Sequence, residues 1–83
     1  MKVLYFARIR QLAGRGSDDI EVPDRVKTVD DLIAFLAGRD ESLAAALADR
    51  RTLRAAVDQT HASLEASIVG AREVAFFPPV TGG

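Results

Sequence analysis

An α+β roll, with a mixed sheet of about five strands and a helix packed on one face, is the fold that this sequence predicts. Three observations predict it. Lys2 to Arg10 alternates with period two, as a strand does. Val29 to Leu36 repeats apolar residues at helical spacing, and Glu73 to Phe77 returns to residues of high strand propensity. A helical crossover joins parallel neighbours, so the first and last strands are expected side by side at the sheet centre.

In the first strand Val3, Tyr5, Ala7 and Ile9 point one way, and Leu4, Phe6, Arg8 and Arg10 the other. Gly14 to Ser17 reads as a turn, with Asp18-Asp19 as turn chemistry beside it. Ile20-Glu21-Val22, ahead of Pro23, gives a second short strand and completes a hairpin. Thr28 is placed to cap a helix, with Asp31 in the capping-box position that Glu or Gln usually holds. Val29, Leu32, Ile33 and Leu36 form the stripe facing the sheet. Asp30-Asp31 suits the positive end of the helix dipole, and Gly38 reads as the C-cap. Leu43 to Leu47, after Asp40, predicts a short second helix, with Arg50, Arg51 and Arg54 beyond it as a solvated basic face. Leu53 to Val57 is a third strand, Asp58-Gln59-Thr60 a turn, and His61 to Ser63 a short fourth strand. Glu65 to Ile68 reads as a helical turn and Gly70 to Arg72 as the loop before the last strand. A hairpin, a covering helix and returning strands, in that order, describe a roll of the β-grasp, or ubiquitin-like, kind.

Composition narrows the function. Eighty-three residues make one domain, residues 1–83, of which 78–83 are expected to form an extended C-terminal tail. An apolar fraction of 48% and a charged fraction of 28% are ordinary for a globular chain. A net charge of −1 gives no electrostatic footprint for nucleic acid or an anionic membrane. No stretch reads as a secretion signal or a membrane span, and the expected location is cytoplasmic. With no cysteine and one histidine, disulfides, thiolate metal sites and cysteine nucleophiles drop out together. His61 could pair with Ser63 or Ser67, but nothing marks a nucleophile elbow. Gly14-x-Gly16 lacks the third glycine and the helix of a nucleotide loop. No metal site is expected, and the side chains do not look like the reagents.

The last residues do. Gly82-Gly83 has no packing to offer and loses much backbone entropy on ordering, yet it presents an α-carboxylate on a thin, unhindered thread. The carboxyl group of Gly83 is therefore the expected functional group. Pro78 and Pro79 cannot donate backbone hydrogen bonds, so they end the last strand and hold its exit extended. Val80, Thr81, Gly82 and Gly83 then reach roughly 13 Å, enough to enter a partner's channel. Of the adjacent Phe76 and Phe77, alternation puts one in the core and the other at an interface; Phe76 is assigned to the core and Phe77 to the partner. Adenylation would turn the carboxylate into a mixed anhydride, and a sulfur nucleophile displacing AMP would leave a thiocarboxylate.

The run Glu73-Val74-Ala75-Phe76-Phe77-Pro78-Pro79-Val80-Thr81-Gly82-Gly83, with Asp58-Gln59-Thr60 before it and Val3-Leu4-Tyr5-Phe6-Ala7-Arg8-Ile9-Arg10 and Thr28-Val29 earlier, resembles the MoaD-type sulfur carriers, the small subunits of molybdopterin synthase. The resemblance implies that an E1-like (MoeB-type) adenylyltransferase activates Gly83 with ATP and magnesium, and that a sulfurtransferase supplies sulfur. The chain itself would bind no cofactor. The thiocarboxylated tail would enter the active site of the large (MoaE-type) subunit within a heterotetramer. It would give its sulfur to cyclic pyranopterin monophosphate, building the dithiolene of molybdopterin. The chain would be the non-catalytic sulfur donor, with Phe6, Phe77, Pro78 and Pro79 at the interface. Three positions depart from the family pattern: His61, usually apolar and read here as an exposed strand residue; Asp58, often Asn; and Arg72, in a loop usually acidic. Carriers feeding thiamin, a tungsten cofactor or tRNA thiolation share the Gly-Gly ending, as do ubiquitin-like modifiers joined to lysines. A plain protein-interaction domain without tail chemistry also remains open.

Overall fold

In the computed structural model, which describes residues 1–79, five strands form one sheet in the order β2-β1-β5-β3-β4. The elements run β1 (Lys2–Tyr5), α1 (Ala7–Ala13), β2 (Ser17–Asp19), α2 (Val29–Arg39), α3 (Glu41–Ala46), a 3-10 turn (Arg50–Thr52), β3 (Arg54–Val57), β4 (Thr60–Ala62) and β5 (Glu73–Phe77). β5 pairs parallel with β1 and antiparallel with β3, so the last strand sits centrally, beside the first. This is the β-grasp roll that the sequence predicts.

The first strand is shorter than expected. It ends at Tyr5, and Ala7–Ala13 is a helix rather than strand and turn. Val3, Tyr5 and Ile9 fit a period of two, but Ile9 and Ala13 also fit the four-residue spacing of a helix, and both are buried. Ala7, Arg8, Arg10, Gln11 and Leu12 are helix formers, and Gly14 supplies the left-handed C-cap at φ 77°, its N–H donating to Arg10 O at 3.0 Å. Ala7 enters the helix at φ 53°, a left-handed conformation unusual for a residue with a Cβ.

The second strand is Ser17–Asp19, not Ile20–Val22. Asp18 is therefore strand rather than turn, paired with Val3 on the face that carries the core. There it accepts from Tyr5 Oη at 2.8 Å and from Arg15 Nε at 2.9 Å, while an Arg15 guanidinium nitrogen reaches Asp40 Oδ2 at 3.1 Å. Asp40 in turn caps α3, accepting from the Ser42 and Leu43 N–H groups. Burial, with the Asp18 bond added, pushes the Tyr5 phenol far above its ordinary value. Burial also pushes the Asp18 carboxyl up, but the hydrogen bonds from Arg15 and Tyr5 and the Arg15 charge outweigh it and hold Asp18 below the usual carboxylate range.

The capping box of Thr28 and Asp31 forms as expected, with Asp31 N–H donating to Thr28 Oγ1 at 3.1 Å. Val29, Leu32, Ile33 and Leu36 are buried in one cluster with Val3, Tyr5, Val74 and Phe76. Gly38 is not a cap: α2 runs to Arg39, because the extended Asp40 starts α3 at once. Glu65 to Ile68 is not helical either. That segment crosses the start of α2, where Leu64 O accepts from Asp30 N–H and Ala66 O from Val29 N–H, groups that a helix terminus leaves free. Asp58 and Gln59, at φ 48° and 70°, make a two-residue turn of the I′ pattern, so Thr60 already belongs to β4. Arg50 is held by Asp30 at 2.9 Å, so the basic cluster is only in part a free solvated face. Among the described residues no helix is long and apolar enough to cross a membrane.

Two predictions follow from these elements. An alanine Cβ at Gly38 meets nothing within 4 Å, so Gly38→Ala should raise stability by about 0.5–1 kcal/mol in urea denaturation. The melting temperature should stay level across neutral pH and fall at both extremes. Asp18, Asp31, Asp40 and Asp49 are lowered in the folded state, so their contribution is present above the unfolded carboxylate value near ~4 and is lost as pH falls through the folded values. Tyr5 is raised, so its contribution holds below about 10 and declines as pH rises beyond that. A melt series that stayed level down to pH 2 would contradict the acid half.

Candidate functional site

The sheet has one face against the helices and one that no helix covers. Register assigns each residue to a face. Val3, Tyr5, Ala55, Val74 and Phe76 share the core face. Lys2, Leu4, Glu73, Ala75, Phe77, Arg54, Ala56 and His61 share the outer one. An apolar strip of Leu4, Ala75 and Ala56 therefore crosses β1, β5 and β3 and leads to Phe77.

Phe76 is fully buried and Phe77 half-buried, as the alternation argument predicts. Phe77 pairs with Arg54 across β3, and its ring meets the exposed His61 ring edge-on at 5.2 Å and 64°. Phe6 lies one residue past β1 but keeps extended geometry, and its N–H donates to Phe76 O at 3.1 Å. It thus continues the β1–β5 ladder on the side of Leu4. At 46% exposure it is one of three large apolar residues left open to solvent among the described residues. Phe6, Phe77, His61 and Arg54 all sit at the end of the sheet where the chain leaves β5. Pro78 enters a cleft between α1 and the segment after α3, lined by Arg8, Leu12, Asp49 and Leu53, and both prolines are half-buried. Val80, Thr81, Gly82 and Gly83, the expected reactive tail, lie outside the described residues.

Sequence reading placed Leu4 on the side of Phe6 but missed Ala56, Ala75 and Arg54 as parts of this face; the period-two pattern of β3 and β5 carried the signal, but register was needed to align it. Asp58 has a structural task. Its Oδ1 accepts from the Arg72 and Glu73 N–H groups at 2.9 and 3.0 Å, fastening the β3–β4 turn to the start of β5. An asparagine oxygen can accept the same bonds and tolerates the same left-handed φ, so the two residues are interchangeable in this role. Arg72 is an exposed loop residue. No group of three or more His, Cys, Asp or Glu residues that could hold a metal occurs among the described residues.

Comparison with known proteins agrees with this geometry. Residues 3–83 match the ThiS family. The chain is 45% identical to the molybdopterin synthase sulfur carrier subunit of Escherichia coli K12 over 83 residues, covering 100% of this chain and 99% of that protein. It is 39% identical to the subunit of the same name from Haemophilus influenzae, with the same coverage. The crystal structure of SAMP1 from Haloferax volcanii superposes with a TM-score of 0.73 at 27% identity, covering 100% of this chain and 98% of that one.

The two phenylalanines should separate in stability measurements. Phe76→Ala should cost about 3–5 kcal/mol, as removal of a buried aromatic does, and Phe77→Ala about 1 kcal/mol or less. Equal losses in urea denaturation would return Phe77 to the core.

Proposed function

The chain belongs to the ThiS family, and from that membership we propose that it is the sulfur-carrier subunit of a molybdopterin synthase, acting through the carboxyl group of Gly83. The supporting observation is the end-to-end likeness to sulfur carrier subunits, and this chain's own Phe76-Phe77-Pro78-Pro79 approach to the tail is in keeping with it. The chain is not catalytic on its own; it is one subunit of a complex whose large subunit is its partner.

Chemistry at Gly83 needs activation first. In the proposed sequence a carboxylate oxygen attacks the α-phosphorus of ATP on an E1-like enzyme with magnesium, and pyrophosphate leaves. A persulfide sulfur from a sulfurtransferase then attacks the acyl carbon, and AMP leaves. A second thiol then attacks the donor sulfur of the resulting acyl disulfide, forming a disulfide with the donor cysteine and releasing the thiocarboxylate. The tail carries this sulfur into the large subunit, where it is passed to cyclic pyranopterin monophosphate, two sulfurs for each dithiolene. The acid–base groups for those steps belong to the partner. All of this takes place in the cytoplasm.

The described part of the chain contributes docking. The exposed Phe6 and the half-buried Leu4 and Phe77 stand around the low, buried Ala75 and Ala56, and this apolar patch is continuous with Pro78 and Pro79, at the point where the tail begins. Aromatic anchors beside a small, flat strip suit a protein partner. The glycines at 82 and 83 keep the thread narrow enough for a channel.

The deciding measurement is the intact mass of the chain after incubation with the activating enzyme, ATP and a sulfur source. A gain equal to exchanging one oxygen for sulfur, confined to the C-terminal peptide, is expected. No gain with an enzyme proven active on another carrier would remove the proposal. Phe77→Ala should weaken large-subunit binding by about tenfold or more while the thiocarboxylate still forms.

A further inference from the structure

The basic residues of this chain are nine arginines and two lysines, and neither lysine lies at the end of the sheet where the chain leaves β5. The amines gather at the end of the sheet where β5 begins. Lys2 pairs with Glu73, and its backbone N–H donates to Arg72 O at 2.9 Å. The Met1 amino group donates to Ile20 O at 2.9 Å, and Met1 and Lys27 line one cleft with Gly70 and Ala71. At the opposite end, where the chain leaves the sheet, the cations are guanidiniums. Arg54 is the register partner of Phe77, Arg8 lines the cleft that Pro78 enters, and Arg50 and Arg51 form the turn just ahead of β3.

Arginine and lysine carry the same charge but differ as nucleophiles. A guanidinium stays protonated and does not attack acyl groups, whereas a lysine amine releases its proton and does. We propose that arginine in place of lysine around the tail root makes the activated tail chemoselective, preventing an activated Gly83 from acylating its own molecule and preserving it for an external sulfur nucleophile. This rests on Gly83 being the activated residue. In the suppressed reaction an amine nitrogen attacks the Gly83 carbonyl carbon. The C–N bond forms, the C–O bond to AMP breaks, AMP departs and the ammonium proton passes to solvent. The product is an internal amide, lighter than the free acid by one water.

The geometry supports the separation. Four steps of β5 put about 13 Å between the level of Lys2 and the level of Phe77. The four residues after Pro79 span about 13 Å when fully stretched, so the tail comes within reach of Lys2 only by turning back along the sheet. Lys27, just ahead of α2, is exposed and lines the cleft with Met1, Gly70 and Ala71, at the end of the sheet away from the root. Arg54 and Arg8, by contrast, stand beside the root itself.

The full chain carrying an α-thioester on Gly83 tests reach without any activating enzyme, so its result is independent of whether Gly83 is the physiological site of activation. Arg54→Lys and Arg8→Lys keep the charge and add an amine, and circular dichroism checks their fold. In mildly alkaline buffer the unsubstituted chain should mainly hydrolyse. Each variant should form the internal amide at least about tenfold faster, read by intact mass and mapped to the new lysine. Amide formation in the unsubstituted chain through Lys2 or Lys27 at the variants' rate would overturn the proposal. So would folded variants that hydrolyse without cyclising. Loss of the sulfur mass gain in the enzyme assay would count against the function instead.

Discussion

The parallel pairing of β1 with β5 is the constraint on which the rest of the molecule depends. It places the last strand between β1 and β3, hydrogen-bonded on both sides, with Val74 and Phe76 in the core. A chain end is normally the first part of a domain to fray. Here the residues up to Phe77 form a strand hydrogen-bonded on both sides, so the root of the tail is fixed. The same register decides what surrounds that root. Tyr5 opposite Phe76 brings Phe6 beside it, and Phe77 opposite Arg54 brings His61 into ring contact. A slip of one residue would exchange Phe76 with Phe77 and turn the apolar strip inward.

The parts legible in the sequence were those where one period or one local motif decides the outcome. The Thr28 capping box, the Val29–Leu36 stripe, the Asp40 start of α3 and the bounds of β5 are of this kind. Reading failed where two periods coincide. Val3, Tyr5 and Ile9 satisfy the strand pattern, and only Gly14 with Ile9 and Ala13 favours a helix. The placement of β2 was hidden for another reason. Asp18 looks like a turn residue until Tyr5, Arg15 and Asp40 are brought around it, and those partners are 3 to 22 residues away in sequence. The Glu65–Ile68 segment looks helical in isolation, but its carbonyls serve the start of α2. At the site, Phe77, Phe6 and the prolines were found by alternation and by backbone chemistry. Ala56 and Ala75 were not, because small residues on a strand give little signal until register aligns them.

The two faces of the sheet divide the physical tasks between them. The core face carries the large apolar side chains, and at its β2 edge a chain of polar contacts from Tyr5 through Asp18 and Arg15 to Asp40 ties strand, loop and α3 together. Each exposed link is worth little alone, but Tyr5 is buried, and its hydroxyl would be left unsatisfied without Asp18. The outer face has the opposite character. Ala56 and Ala75 are buried there although no helix covers them, so the strip is low and flat between the taller Leu4, Phe77 and His61. A flat strip on a central strand needs little rearrangement when a partner covers it, which lowers the ordering cost of association. Two adjacent prolines, Pro78 and Pro79, restrict the backbone where it leaves this flat platform. In the proposed role the platform would supply the affinity for a partner, so the terminal glycines would need no side chain to bind with.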